Sequence, residues 1–406
     1  MNNKKSSKMK PFLMGVILLV VILAIAIAVG EIYARCNYNR CYLTGIMTKN
    51  SVFHHLPPPY YNGEMYSEND FDVSYTTNNR GMRGPGDYSY QKKTGVYRIA
   101  LMGDSFAFGV GVKSDETMAF LLEKMLNERR EGSYQIYNFG VSSFSPVLEY
   151  IYLKEEVIKY NPDLVVLMLD ISDVQDDYYR EPHLVYDNDK NIIGCNPMVI
   201  GRWPDIRAYL MYYSRFFNLL DRTILQSLRK MRALGLTNYF SNKFKGVRNK
   251  AEIFKNKDID NIYFDKFLMF REGKNKKIVM QHWKRTEIYL TMIKEYLDQK
   301  NVPLIVIIYP YGHQVGEKQW QRGRNYWAFT QNTVYDPSEG FAIMEGFAKK
   351  MGISMINLYP ALRKRKNEAL YFDSDGHWTA LGQRIAAEAV YDSGSFSEAL
   401  KRLSDE

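Results

Sequence analysis

Apolar and polar positions along this chain fall into three regimes. The first is an uncharged run from Pro11 to Gly30, PFLMGVILLVVILAIAIAVG. As a helix rising about 1.5 Å per residue, it matches the roughly 30 Å hydrocarbon core of a bilayer. It has no polar stripe of the kind a core helix carries, and it is longer than the apolar stretch of about 7–15 residues in a secretory signal. It therefore predicts a transmembrane anchor over residues 11–30, preceded by a tail over 1–10. Ala24-Ile25-Ala26 and Ala26-Ile27-Ala28 are small-residue sites that keep a cleaved signal as the alternative. The second regime, residues 31–93, is rich in Pro, Tyr, Asn and Gly and contains Pro57-Pro58-Pro59, so it reads as a linker or wrapping segment with short strands.

In the third regime, residues 94–395, short continuous apolar runs alternate with segments of 3.6-residue period. Val96 to Met102, Gln135 to Phe139, Leu164 to Leu169, Leu304 to Tyr309 and Ile353 to Leu358 are rich in Val, Ile and Leu and bounded by Gly, Pro, Asp or Asn, as strands buried on both faces are. Between them, Glu116 to Arg129, Pro146 to Tyr160, His282 to Gln299, Ser338 to Met351 and Thr379 to Val390 read as helices. The alternation predicts an α/β domain on a mostly parallel five-stranded sheet. A stretch over about 178–277 interrupts the alternation, and its segment Trp203 to Leu236 has a helical pattern crowded with Tyr, Phe, Leu and Arg. Such a helical insertion suits an accessory subdomain, a lid or an interfacial helix.

Charge orients the anchor. Lys4, Lys5, Lys8 and Lys10 precede the apolar run, whereas Arg35 and Arg40 with Glu31 follow it, so the N-terminus is expected in the cytoplasm and the rest outside. The net charge of +9 over 406 residues includes those four lysines, and an exported chain is a poor nucleic-acid binder. The three cysteines, Cys36, Cys41 and Cys195, have no zinc-ligand spacing; Cys36 and Cys41 could bridge a short loop or stay as thiols. No metal or cofactor is expected, because no P-loop, HExxH or complete GxGxxG is present.

Two motifs carry candidate chemistry. The apolar run ending Ile99-Ala100-Leu101-Met102 leads into Gly103-Asp104-Ser105-Phe106, which places a serine at the carboxyl end of a strand, where open α/β sheets bind ligands. There Ser105 can offer its hydroxyl as a nucleophile and its N–H to an oxyanion. Far along the chain, Asp373-Ser374-Asp375-Gly376-His377-Trp378 precedes the final predicted helix. Residues two apart in an extended loop face the same way, so Asp375 can hold one imidazole nitrogen of His377 and leave the other for a serine. His313 and Asp170 also fall at strand ends, where either could contact substrate or serve structure alone.

Together these blocks resemble the SGNH (GDSL-type) hydrolase superfamily, whose members carry Gly-Asp-Ser after the first strand and Asp-x-His or Asp-x-x-His before the last helix. Tyr137-Asn138-Phe139-Gly140-Val141-Ser142 is similar to the family's glycine block, which implies an oxyanion N–H from Gly140 beside that of Ser105. The third block departs from the pattern: Leu169-Asp170-Ile171-Ser172-Asp173 puts Ser172 where the family has asparagine. An oxyanion donor is worth on the order of 10²–10³ in rate, so this exchange predicts a slower enzyme. The longer stretch Gly103 to Val112, and Asn79-Arg80-Gly81-Met82-Arg83, resemble a bacterial membrane-anchored subgroup linked to cell-surface polysaccharide. The resemblance implies a flavodoxin-like three-layer sandwich and an extracytoplasmic esterase or O-acyltransferase using Ser105, His377 and Asp375. Its partners would be the membrane, an acylated glycan or other acyl ester, and a membrane-embedded acyl-transfer protein. The alternative is a catalytically weak glycan-binding or assembly protein on the same fold.

Overall fold

The computed structural model describes residues 3–37, 47–67, 70–84, 86–197, 214, 216–217, 220, 276–326, 329 and 331–405. The chain forms two compact units, one made of Met1–Tyr42 with Val199–Arg248, the other of Leu43–Met198 with Asn249–Glu406.

In the first unit, helix α1 (Asn3–Asn37) contains a span, Met14–Cys36, long and apolar enough to cross a membrane. The helix runs past the expected end at Gly30 because Glu31 and Arg35, four residues apart, form an ion pair on one face at 2.7 Å. Glu31 also accepts the Ser214 hydroxyl at 2.8 Å and the Phe216 N–H at 3.0 Å. Cys36 keeps a free thiol, as does the buried Cys195, while Cys41 lies outside the described residues. The helical pattern over Trp203–Leu236 also lies outside them, apart from residues 214, 216–217 and 220.

The second unit is built on five parallel strands: β5 (Val96–Gly103), β6 (Ser133–Gly140), β7 (Leu164–Asp170), β10 (Leu304–Tyr309) and β11 (Ser354–Asn357). They lie side by side in the order β6-β5-β7-β10-β11. In sequence rank that is 2-1-3-4-5, the flavodoxin-like order, and the reversal between β5 and β7 makes a topological switch point at their carboxyl ends. Every residue of β7 and β10 is buried, so these strands read as unbroken apolar runs. Helices cover both faces. On one, α3 (Met118–Arg129) packs against α11 (Ala380–Tyr391), which adjoins α12 (Gly394–Asp405). On the other, α6 (Lys276–Gln299) packs against α4 (Pro146–Glu155) and α5 (Asp173–Arg180).

All five predicted strands form, and the five predicted helices do too, Ser338–Met351 with the expected ends and the other four with shifted ones. The run from Pro146 ends as α-helix at Glu155 and finishes as a 3-10 turn, Val157–Tyr160; α6 starts six residues before His282. Thr379 caps α11 instead of opening it, accepting the Gly382 N–H at 3.2 Å. The wrapping segment contains two hairpins, β1 (Thr48–Asn50) with β2 (His54–Leu56) and β3 (Asn62–Ser67) with β4 (Phe71–Thr76). The described start of the insertion holds a third, β8 (Leu184–Tyr186) with β9 (Ile192–Cys195).

Candidate active site

Strand β5 ends at Gly103, whose φ of 147° suits glycine and whose missing Cβ would lie 2.8 Å from that of Met168 on β7. The chain turns there, and Asp104 caps the short helix α2 (Ser105–Phe108) by accepting the Phe106 N–H at 2.8 Å. As the first helical residue, Ser105 has no intrahelical acceptor for its N–H. Its hydroxyl oxygen is 2.7 Å from His377 Nε2 and 3.3 Å from Asp104 Oδ2.

The opposing loop is closed at its neck by a bridge between Tyr371 and Trp378 and by the Phe372 N–H donating to the His377 carbonyl at 2.9 Å. At its tip Gly376 adopts φ 95°, and a Cβ there would lie 2.5 Å from Trp320 Nε1, so the turn needs glycine. That tight turn faces Asp375 and His377 the same way: His377 Nδ1 is hydrogen-bonded to Asp375 Oδ1, which also accepts the His377 N–H at 3.2 Å. Ser105, His377 and Asp375 thus form one hydrogen-bonded line. The His377 side chain keeps 19% of its surface exposed against 1% for Asp375, so solvent or a ligand reaches the imidazole and not the carboxylate. Phe106 backs the imidazole with ring centroids 4.9 Å apart, and the buried Trp378 packs on Phe106 in turn. Burial opposes charge on His377, but the Asp375 carboxylate, aided by Asp104 and Asp170, outweighs it and raises the pKa above the ordinary 6.5.

The two other oxyanion candidates, Gly140 and Ser172, each have hydrogen-bond partners within the domain. The Gly140 N–H is already committed to Asn138 Oδ1 at 2.9 Å. What demands glycine at 140 is packing: a Cβ would stand 2.3 Å from the Phe108 nitrogen, where α2 crosses the end of β6. Ser172 follows β7 at the switch point, with its N–H on Asp170 Oδ1 at 2.7 Å. Tyr311 is 2.6 Å from Asp170 Oδ2 and 3.3 Å from Ser172 Oγ. A phenol has one hydrogen, and the shorter contact gives it to Asp170, so the Ser172 hydroxyl finds in Tyr311 an acceptor for its own. Asp170 is buried in this network beside Asp104 and Asp173, while His313 is buried against Phe329, ring centroids 4.1 Å apart.

Residues 269–401 match the family model described as SGNH hydrolase-like domain, acetyltransferase AlgX. Over that segment the chain is similar to the SGNH hydrolase-like family. The matched segment includes Asp375 and His377 and begins well after Ser105. Among solved structures, the chain is similar to the acetyl xylan esterase AlAXEase, at 14% identity over 72% of this chain and 98% of that one, TM-score 0.35. It is also similar to a putative lipolytic protein of the G-D-S-L family from Desulfitobacterium hafniense DCB-2, at 11% identity over 72% and 97% with TM-score 0.34. The acetylxylan esterase Axe2 from Geobacillus stearothermophilus is 13% identical over 74% and 95%, TM-score 0.36. No curated protein sequence matches the chain.

The α/β unit also uses a residue that sequence reasoning passed over. Asp70, beside the β3–β4 turn, accepts backbone N–H groups of Asp373 at 3.1 Å, Ser374 at 3.0 Å and Asp375 at 2.7 Å. It cradles the loop that carries Asp375 and His377. Its only sequence-level signal was an acidic residue in a turn. Tyr309 was legible only as the last residue of a strand, yet it donates to Asp104 Oδ1 at 3.0 Å and steadies the turn before Ser105.

Proposed function

We propose that this chain is an extracytoplasmic serine esterase or O-acyltransferase acting on acyl esters, acetyl foremost, of a cell-surface glycan. The observation that carries the proposal is the 2.7 Å contact between Ser105 Oγ and His377 Nε2 with Asp375 behind the imidazole. Ser105 attacks the acyl carbonyl as His377 takes its proton; the C–O bond to the leaving alcohol breaks, and His377 returns the proton to that alcohol. The acyl-serine then transfers its acyl group to water or to a glycan hydroxyl, activated through the same imidazole. Asp375 fixes the tautomer and stabilises the imidazolium. The Ser105 N–H and the Ser172 hydroxyl are the donors assigned to the oxyanion, the latter after turning from Tyr311. In this reading α1 holds the domain at the outer face of the membrane with residues 1–10 in the cytoplasm. A membrane-embedded acyl-transfer protein is the proposed donor when the acceptor is a glycan.

The matched family, an SGNH hydrolase-like domain of the acetyltransferase AlgX, favours acetyl here by analogy. A fluorophosphonate probe is expected to label Ser105, and p-nitrophenyl acetate to be hydrolysed; folded protein that labels nowhere near Ser105 sinks the proposal. Deleting the protein from its cell raises surface-glycan acetylation if it is an esterase and lowers it if it is a transferase.

One observation favours a second reading, a catalytically weak glycan-binding or assembly protein: with the Gly140 N–H committed to Asn138, the oxyanion has one donor fewer than the family pattern implies. Under that reading Ser105→Ala leaves the cellular phenotype intact; under the first it abolishes it while export and fold survive.

A further inference from the structure

The helix that carries Ser105 is too short to hold itself. Helix α2 has four residues, fewer than a helix needs to be stable alone. Along it, the Asp104 carbonyl accepts the Phe108 N–H at 2.9 Å, and the Ser105 carbonyl accepts the Gly109 and Val110 N–H groups at 3.0 and 3.1 Å. The carbonyls of Phe106, Ala107 and Phe108 are left over, as at any helix end. Each is met by a side chain from a different part of the fold. Gln383 on α11 donates to Phe106 at 3.1 Å, Asn138 on β6 to Ala107 at 2.9 Å, and Arg83 from the wrapping segment to Phe108 at 3.0 Å.

Arg83 reaches further than the other two. The same Nη1 also donates to the Gly109 carbonyl, and Nη2 donates to that of Val112. Its exposure is 2%, and its guanidinium lies over the Phe108 ring, 5.2 Å from the centroid. Burial lowers its pKa to about 10, which leaves it charged at neutral pH. A buried cation is costly unless its donors are used, and among the described residues every acceptor of Arg83 is a backbone carbonyl. Two of those carbonyls belong to particular peptide units. The Phe108 carbonyl shares a planar amide with the Gly109 N–H, and the Gly109 carbonyl shares one with the Val110 N–H. In each plane the C=O and N–H point opposite ways, so one end is on Arg83 and the other on the Ser105 carbonyl.

We propose that Arg83 is a positioning residue for the nucleophile. Through the Phe108–Gly109 and Gly109–Val110 peptide planes it fixes the Ser105 carbonyl, and with it the reach of Ser105 Oγ to His377 Nε2. The inference rests on the esterase or acyltransferase reading of Ser105. It gives a task to the end of the Asn79–Arg83 motif, which the triad leaves unused. Lysine is a poor replacement, because a single ammonium lacks the planar fork whose two nitrogens reach Gly109 and Val112 at once.

The test compares the full chain in detergent with Arg83→Met and Arg83→Lys, at a temperature where circular dichroism shows each to be folded. With p-nitrophenyl acetate, kcat per active site is expected to fall about tenfold or more in Arg83→Met while KM stays within about twofold of the parent. Arg83→Lys, which keeps the charge and a donor, is expected to recover part of that loss. A merely structural role would lower the melting temperature and leave kcat per active site intact. Amide hydrogen exchange, resolved to single residues by fragmentation mass spectrometry, follows the hold without catalysis. The Gly109 and Val110 amides are expected to exchange as slowly as those of β5 in the parent and about tenfold or more faster in Arg83→Met. A folded Arg83→Met with parental kcat, or with parental exchange at those two amides, overturns the proposal. Fast exchange at both amides in the parent overturns it even if neither variant folds. A parent that a fluorophosphonate probe does not label at Ser105 sinks the esterase or acyltransferase reading instead, and the exchange comparison still decides whether Arg83 holds α2.

Discussion

At His377 two effects oppose each other: burial disfavours the imidazolium and the Asp375 carboxylate favours it, with the carboxylate prevailing. Because the proposed base must be neutral to accept the Ser105 proton, kcat/KM is expected to fall as pH drops through an apparent pKa above the ordinary 6.5. In Asp375→Asn the raising influence disappears and burial remains, so the inflection moves down, while kcat drops by about 10³–10⁴ as the tautomer is lost. A pH–rate profile with p-nitrophenyl acetate reads both, and an inflection that does not move removes Asp375 from the role. Ser105, Asp375 and His377 were legible because each is part of a short motif whose spacing alone fixes relative direction. Gly140 is harder to read, for a physical reason. A glycine at a strand end can be there to expose an N–H or to let another backbone pass, and the letter is the same in both cases.

At the scale of elements, the Asp373–His377 loop depends on the β3–β4 hairpin. Replacing Asp70 by alanine leaves three backbone N–H groups without their acceptor, a loss of about 1–3 kcal/mol in a partly buried site. The expected outcome is a lower melting temperature and a kcat reduced on the order of tenfold or more, since small misplacements of a base are costly. Asp70→Asn, which keeps one acceptor oxygen, should recover part of the rate; an unchanged kcat in the alanine variant would show that the loop holds itself. The core strands were easy to find because burial on both faces makes them continuous apolar runs. Helix α5 was not found, because it is only eight residues long and its buried face is mostly polar, made of Asp173, Gln175, Asp177 and Arg180 beside Val174. Asp177 illustrates the difficulty: it holds the Val147 N–H at 3.0 Å and the Thr286 hydroxyl at 2.7 Å, joining α4, α5 and α6 through hydrogen bonds. Burial pushes its pKa up to about 7 against those bonds.

For the molecule as a whole, α1 presents an apolar surface that no other described helix matches in length and hydropathy; Met14 to Val29 are exposed throughout. If α1 is the proposed uncleaved anchor, the full-length chain stays with the membrane pellet after alkaline carbonate extraction, and a protease added outside the cell removes the α/β unit and not residues 1–10. Release of a shorter chain into the supernatant would instead mark α1 as a signal. The first strand of the sheet begins at Val96 and its last ends at Asn357, yet the loop holding the proposed base rests on Asp70 across more than 300 positions. A ribosome delivers these partners in a fixed sequence, the hairpin first and the loop near the close. Until the loop arrives, the Asp70 carboxylate has no backbone to hold, and a chain interrupted between the two could complete its sheet and still lack chemistry. Maturity of the site is therefore a late event, decided by the most distant contact and not by the most hydrophobic one.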